Sequence, residues 1–219
     1  MSRFLKICLL SLLVVSLMAS FALARPLTYT FKSSSTGYIS QDLATGALTV
    51  NSAVAAAWGL TANDEYRGYL DFNTSAMNVL RFPQVTKVEF YYAAGQTAVE
   101  YPGPSSFDAG FYAGEFLANG LGTADWGAGT LAASHSWSSA PANTWIDLGQ
   151  TGINLFYDIY PNYIAFDAPA HFSVAVRNAG SGNFLAGMSK CSLKVTYKNL
   201  FKALPEEEST FGSVKALFR

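Results

Sequence analysis

The chain has 219 residues, a net charge of −1 and 13% charged residues, against about 25% in an average soluble domain. No basic excess or basic cluster is present, which argues against a nucleic-acid partner. The polar surface must come from Ser, Thr, Asn, Gln, Tyr and backbone, a surface that suits uncharged ligands such as sugars.

In chain order, Arg3 and Lys6 flank the start of an apolar run at 7–18, about a dozen residues long, and Ala22-Leu23-Ala24 is a small-x-small cleavage site. These features predict an export signal over 1–24 and a secreted or extracellular mature chain that begins at Arg25. The run falls short of the roughly 20 residues a membrane helix needs, so no membrane span is expected after cleavage. Of Cys8 and Cys191 only the second stays in the mature chain, which leaves no internal disulfide. Cys191 reads as a small, partly buried apolar residue at a strand start, since neither histidine lies near it in sequence.

Residues 25–199 read as one β domain. Leu27, Tyr29 and Phe31 alternate, 33–37 is read as a turn, and Leu48 and Val50 lead a second run. Residues 53–59, with Trp58, read as a short helical turn or a loop. At 65–74, Tyr66, Gly68, Leu70 and Phe72 share one parity and Arg67, Tyr69, Asp71 and Asn73 the other, so one face should meet a core and the other should be more polar. The run 85–92 alternates in the same way, and the two are expected to be neighbours in one layer. Residues 102–143 are rich in Gly, Ser, Ala and Pro. A structureless loop of about forty residues is improbable in a compact domain, so two short strands are expected, near 110–117 and 129–136. Further runs follow at 144–148, 163–166, 172–177 and 193–198, with a short helix or extended crossing at 151–157 and a turn at 180–183. Many short strands, turn signals between them and no helix of core length predict an all-β sandwich or barrel. Beyond Leu204, Pro205 and three glutamates make a linker over 200–208. Phe211, Val214, Leu217 and Phe218 then fall on one helical face, predicting a short helical tail over 209–219 that docks, is disordered, or binds a partner as a terminal tag.

Motifs for chemistry are scarce. There is no phosphate loop, G-x-S-x-G, S-x-x-K or H-E-x-x-H, and His135 and His171 have no second mature cysteine for a zinc site. Asp71, Glu89, Asp147 and Asp167 could be paired as glycosidase acids, but outward strand positions explain them without catalysis. We therefore expect a non-enzyme. Trp58, Trp126 and Trp137 lie in loop-like segments, and with Tyr112 they are the candidate ligand-binding residues, since an exposed aromatic ring can stack on the apolar face of a sugar. Trp145, Tyr66 and Tyr92 read as core.

Three stretches carry a resemblance. Y-R-G-Y-L-D-F-N-T-S at 66–75 with V-T-K-V-E-F-Y-Y at 85–92, W-S-S-A-P-A-N-T-W-I-D-L at 137–148, and C-S-L-K-V-T-Y at 191–197 together resemble the secreted jelly-roll modules named for a DNRLRE signature, which are akin to carbohydrate-binding modules. The D-N-R-L-R-E string itself is absent, and Cys191 stands where the closing strand of those modules has proline. The resemblance implies a jelly-roll-like β-sandwich that binds a polysaccharide or cell-surface glycan, through loops at one end or on one concave sheet. It also implies calcium as an optional ion. The oxygen donors at hand would be Asp64 and Glu65 beside Asn63, or Asp125 and Asp108, although turn chemistry explains these residues equally well. The terminal S-T-F-G-S-V-K-A-L-F-R resembles the W-G-x-I-K-x-L-Y-R tails of exported bacterial proteins, with Phe211 in place of the tryptophan. This resemblance carries the alternative expectation, a structural or surface-assembly protein with a docking or sorting tail.

Overall fold

The computed structural model describes residues 26–80, 83–159 and 164–199; the expected signal (1–24), linker (200–208) and tail (209–219) lie outside them. Two antiparallel sheets pack face to face. The smaller has four strands in the order β1 (Leu27–Lys32), β15 (Ser192–Asn199), β6 (Pro83–Tyr92) and β10 (Thr144–Asp147). The larger has nine: β2 (Ser35–Asp42), β3 (Leu48–Ser52), β4 (Ala57–Leu60), β5 (Asp64–Asn73), β7 (Ala94–Val99), β8 (Phe107–Gly114), β9 (Thr130–Trp137), β13 (His171–Asn178) and β14 (Phe184–Met188). A separate hairpin joins β11 (Tyr157–Ile159) to β12 (Ile164–Phe166), and the one α-helix among the described residues is α1 (Gly149–Asn154).

β5 is the hub of the larger sheet. Tyr66 pairs with both Ser40 of β2 and Gly59 of β4, and Gly68 pairs with both Tyr38 of β2 and Val176 of β13. β4 and β13 must therefore share the edge of β5 opposite β2, and the sheet branches there, through β4 to β14 and β7 and through β13 to β8 and β9. The inward parity of β5 behaves as its alternation predicts. Leu70 and Phe72 join Phe172, Val174, Val176 and Phe111 against Val88, Phe90, Leu193 and Val195 of the smaller sheet. Each of these buried side chains contributes about 1.5–3 kcal/mol of transfer free energy.

The expectation that β5 and β6 are neighbours in one layer is corrected: they lie in opposite sheets, with the rings of Phe72 and Phe90 edge to face at 6.2 Å across the core. Their connection contains the 3-10 turn Ser75–Val79, which buries Met77. Alternation reports that each strand has a core face and says nothing of which sheet it joins. Residues 33–37 are not a turn throughout, because β2 already begins at Ser35 and Ser34 N–H donates to the Asp71 carbonyl at 2.8 Å. The segment around Trp58 is strand β4 rather than helix or loop. β7 and β14, which have few β-branched residues, carry no clear alternation in sequence, yet they pair with each other along a glycine-rich contact where Gly95 faces the Gly187 backbone.

The outward parity of β5 is not left to solvent. Tyr69 is fully buried in a second, smaller cluster with Ile39, Leu117 and Ala175, covered by Tyr112, Phe116, Leu121 and Trp126. The segment between β8 and β9, with the 3-10 turn Thr123–Gly127, lies over this face as a partial third layer.

Candidate functional site

The four aromatic residues singled out in the sequence have separate fates. Trp58 on β4 is 0% exposed, its Nε1 donates to the Tyr92 hydroxyl at 3.1 Å, and its ring meets Phe184 edge to face at 5.0 Å. Trp137 ends β9 at 7% exposure, donates to Thr144 Oγ1 at 3.2 Å and lies 5.0 Å from the Tyr92 ring. Both are core residues, so their expected place on ligand-facing loops is corrected: neither presents an open ring face. Trp126 and Tyr112 do come together, in the small cluster over β5, but each ring carries a guanidinium. Arg67 lies 3.7 Å above Trp126 and Arg177 lies 3.8 Å above Tyr112. Arg67 also donates to the Trp126 carbonyl and pairs with Glu65 at 2.7 Å, and Tyr69 donates to the Asp125 carbonyl at 2.7 Å. Burial pushes the Tyr69 hydroxyl pKa up and the Arg177 guanidinium pKa down. The set clamps the third layer onto the sheet.

The most exposed tryptophan is Trp145, which the sequence reading placed in the core. It is 42% exposed on the outer face of the smaller sheet. The signal lay in T-W-I-D-L: Trp145 shares parity with Asp147, while Ile146 and Leu148 share the other, and it is Ile146 and Leu148 that are buried. The ring of Tyr91 on β6 lies beside Trp145 at 4.9 Å, tilted by 44°. Lys194 of β15 sets its Nζ over one face of the Trp145 ring, 4.3 Å from its centre, and donates to Glu89 Oε2 at 2.7 Å, which leaves the opposite face of the indole for contact. Lys87 donates to Glu89 Oε1 at 2.9 Å and lies 3.7 Å from Asp147 Oδ2. Burial alone would raise the Glu89 carboxyl, but the hydrogen bonds and charges of Lys194 and Lys87 outweigh it and hold the carboxyl below its ordinary value. Donating to Glu89 in turn raises the Lys87 ammonium pKa. The result is an aromatic pair bordered by fixed hydrogen-bonding groups on a flat β face.

A second polar cluster sits at the end of β5. Asp71, with 5% of its side chain exposed, takes His171 Nδ1 at 2.9 Å and Ser34 Oγ at 3.1 Å on Oδ2, and Ser173 Oγ at 3.3 Å on Oδ1. These partners account for a carboxylate at a buried strand position. Of the other acids weighed for catalysis, Glu89 and Asp147 lie opposite one another in the β6–β10 ladder and both meet Lys87. Asp125 accepts from Gly122 N–H at 2.8 Å, Asp108 from Ser106 at 2.7 Å, and Glu65 from Arg67, and among the described residues no three His, Cys, Asp or Glu side chains are grouped to hold a metal. Cys191 is fully buried beside Ala93 N–H, and burial raises its thiol to about 11, which keeps it protonated and unreactive.

The chain matches no protein-family model and no curated protein. The likeness to DNRLRE-type modules therefore rests on the short motifs alone.

Proposed function

We propose that the protein is an exported, non-catalytic β-sandwich of jelly-roll type that binds glycan across the outer face of its four-stranded sheet. The observation that supports this reading is the half-exposed Trp145 beside Tyr91, bordered by Glu89, Asp147, Lys87 and Lys194. A sugar ring would lay its apolar C–H face on the exposed part of the indole, and its hydroxyls would bond to the carboxylates and ammonium groups alongside. Because ion pairs already hold these side chains, little side-chain entropy is lost on binding. The platform therefore replaces the loop aromatics as the ligand-binding surface.

The test is binding of the exported chain to a glycan array, compared for wild type, Trp145→Ala and Trp126→Ala. Trp145→Ala should lose binding by about tenfold or more, since one anchoring ring carries more than about 1.4 kcal/mol. Trp126→Ala should bind as wild type does. Undiminished binding by Trp145→Ala would sink the reading. If no glycan is bound at all, the structural or surface-assembly alternative, with the tail at 209–219 as its docking or sorting element, takes its place.

A further inference from the structure

The register of the smaller sheet ties the aromatic pair to a second feature. Trp145 pairs with Tyr91, Tyr91 with Ser192, and Ser192 with Lys32, so these four residues form one row across all four strands on the same face. At the spacing of paired strands, Lys32 stands about 14 Å from Trp145 along that row. Lys32 also lines a cleft of about 790 Å³ at the end of the sandwich. Lys190 lines it as well, with Ser33, Ser35 and Ser52, and no carboxylate is among the lining residues. Two other lining hydroxyls are already engaged, Ser34 on Asp71 and Thr36 on the Val54 carbonyl at 2.7 Å. Those of Ser33, Ser35 and Ser52 have no side-chain partner among the described residues. Nor, among the described residues, do Lys32 and Lys190 form an ion pair, in contrast to Lys87 and Lys194, which share Glu89. The two non-glycine residues with left-handed backbone among those described, Ala53 (φ 59°) and Lys190 (φ 52°), both line this cleft. Such conformations cluster where a site holds them in place.

We infer that the cleft is an oxyanion site, which takes a carboxylate or sulfate group through Lys32, Lys190 and the free serine hydroxyls. Two ammonium groups with no carboxylate among the lining residues focus a positive potential into a concave space that also presents serine hydroxyls. The row from Trp145 to Lys32 makes the source of that group an acidic glycan lying across the sheet, one sugar on the aromatic pair and a charged one at the cleft. This source rests on the glycan reading above; the oxyanion site itself does not.

Uronate and sulfated polysaccharides, each paired with its esterified or desulfated form, separate the two claims when titrated against the wild-type exported chain, Lys32→Gln/Lys190→Gln and Trp145→Ala. Galacturonate monomer and inorganic sulfate serve as free-anion arms, and thermal melting checks each fold. Wild type should prefer a charged polymer over its neutral form by about tenfold at low salt, with the preference falling as salt rises. The double lysine variant should bind both forms alike, and Trp145→Ala should lose both. Equal binding of charged and neutral forms by wild type, or a preference that survives in the double variant, overturns the acidic-glycan inference. If no polymer is bound, the proposed function fails; free anion that still binds wild type and not the double variant then upholds the oxyanion site as one for a small anion. No polymer and no anion bound overturns the site as well.

Discussion

At the scale of single residues, burial and pairing decide what each aromatic or charged side chain does. Trp58 has no solvent face and shares a hydrogen bond with buried Tyr92, so Trp58→Ala removes a large core side chain and strands a hydroxyl. It should cost about 3–5 kcal/mol in urea unfolding. Trp126→Ala removes a half-buried ring and one guanidinium contact, and should cost about 1–2 kcal/mol. Equal costs would mean that the two rings are not divided between core and outer layer as described. Glu89 makes a pH-dependent contribution. Its folded carboxyl is held below the ordinary value of 4.5, so its pairing stabilises the fold above that value and is lost as pH falls through the lower folded one. Unfolding followed from neutral to acid pH should show Glu89→Gln closing its gap to wild type in that window; a gap constant with pH would assign Glu89 no such role. Parity in T-W-I-D-L was enough to place Trp145 outward. Nothing in A-W-G-L separates a buried tryptophan from an exposed one, because the run is too short to show a period.

At the scale of elements, close backbone approach explains the strands that alternation did not reveal. β4 presses so near β14 that a Cβ on Gly59 would sit 2.2 Å from the Phe184 carbonyl oxygen, and Gly59 has φ +145°. Gly59→Ala should therefore destabilise by about 3 kcal/mol or more, from steric overlap and backbone strain together. Gly46 is the control: its φ is +73° with open space around it, so Gly46→Ala should cost only the backbone term, about 1 kcal/mol. Comparable denaturation midpoints for the two variants would contradict the tight β4–β14 contact. The strands with strong alternation, β5, β6, β13 and β15, were legible because each has a core face of large apolar residues. β7 and β14 were not: β7 has no buried residue, and in β14 the buried Phe184, Ala186 and Met188 alternate with Leu185 and Gly187, so no polar parity marks the period.

At the scale of the whole molecule, one continuous core joins both sheets, and two outer faces differ in what covers them. The larger sheet is overlaid by the segment between β8 and β9, and the sheet's own Arg67 (β5) and Arg177 (β13) cap Trp126 and Tyr112. The outer face of the smaller sheet leaves Trp145 42% exposed, and one row across it carries both the aromatic platform and the rim of the lysine cleft. The sequence by itself determined the β class, the position of the strongly two-faced strands and the burial of Cys191, since all three follow from local side-chain character. Only the tertiary structure decided which strands share a sheet, that the polar parity of β5 is covered, and that Trp58 and Trp137 are closed off from solvent. Those outcomes depend on contacts between residues tens of positions apart, and a period of two records that a strand has two faces without recording what lies against either.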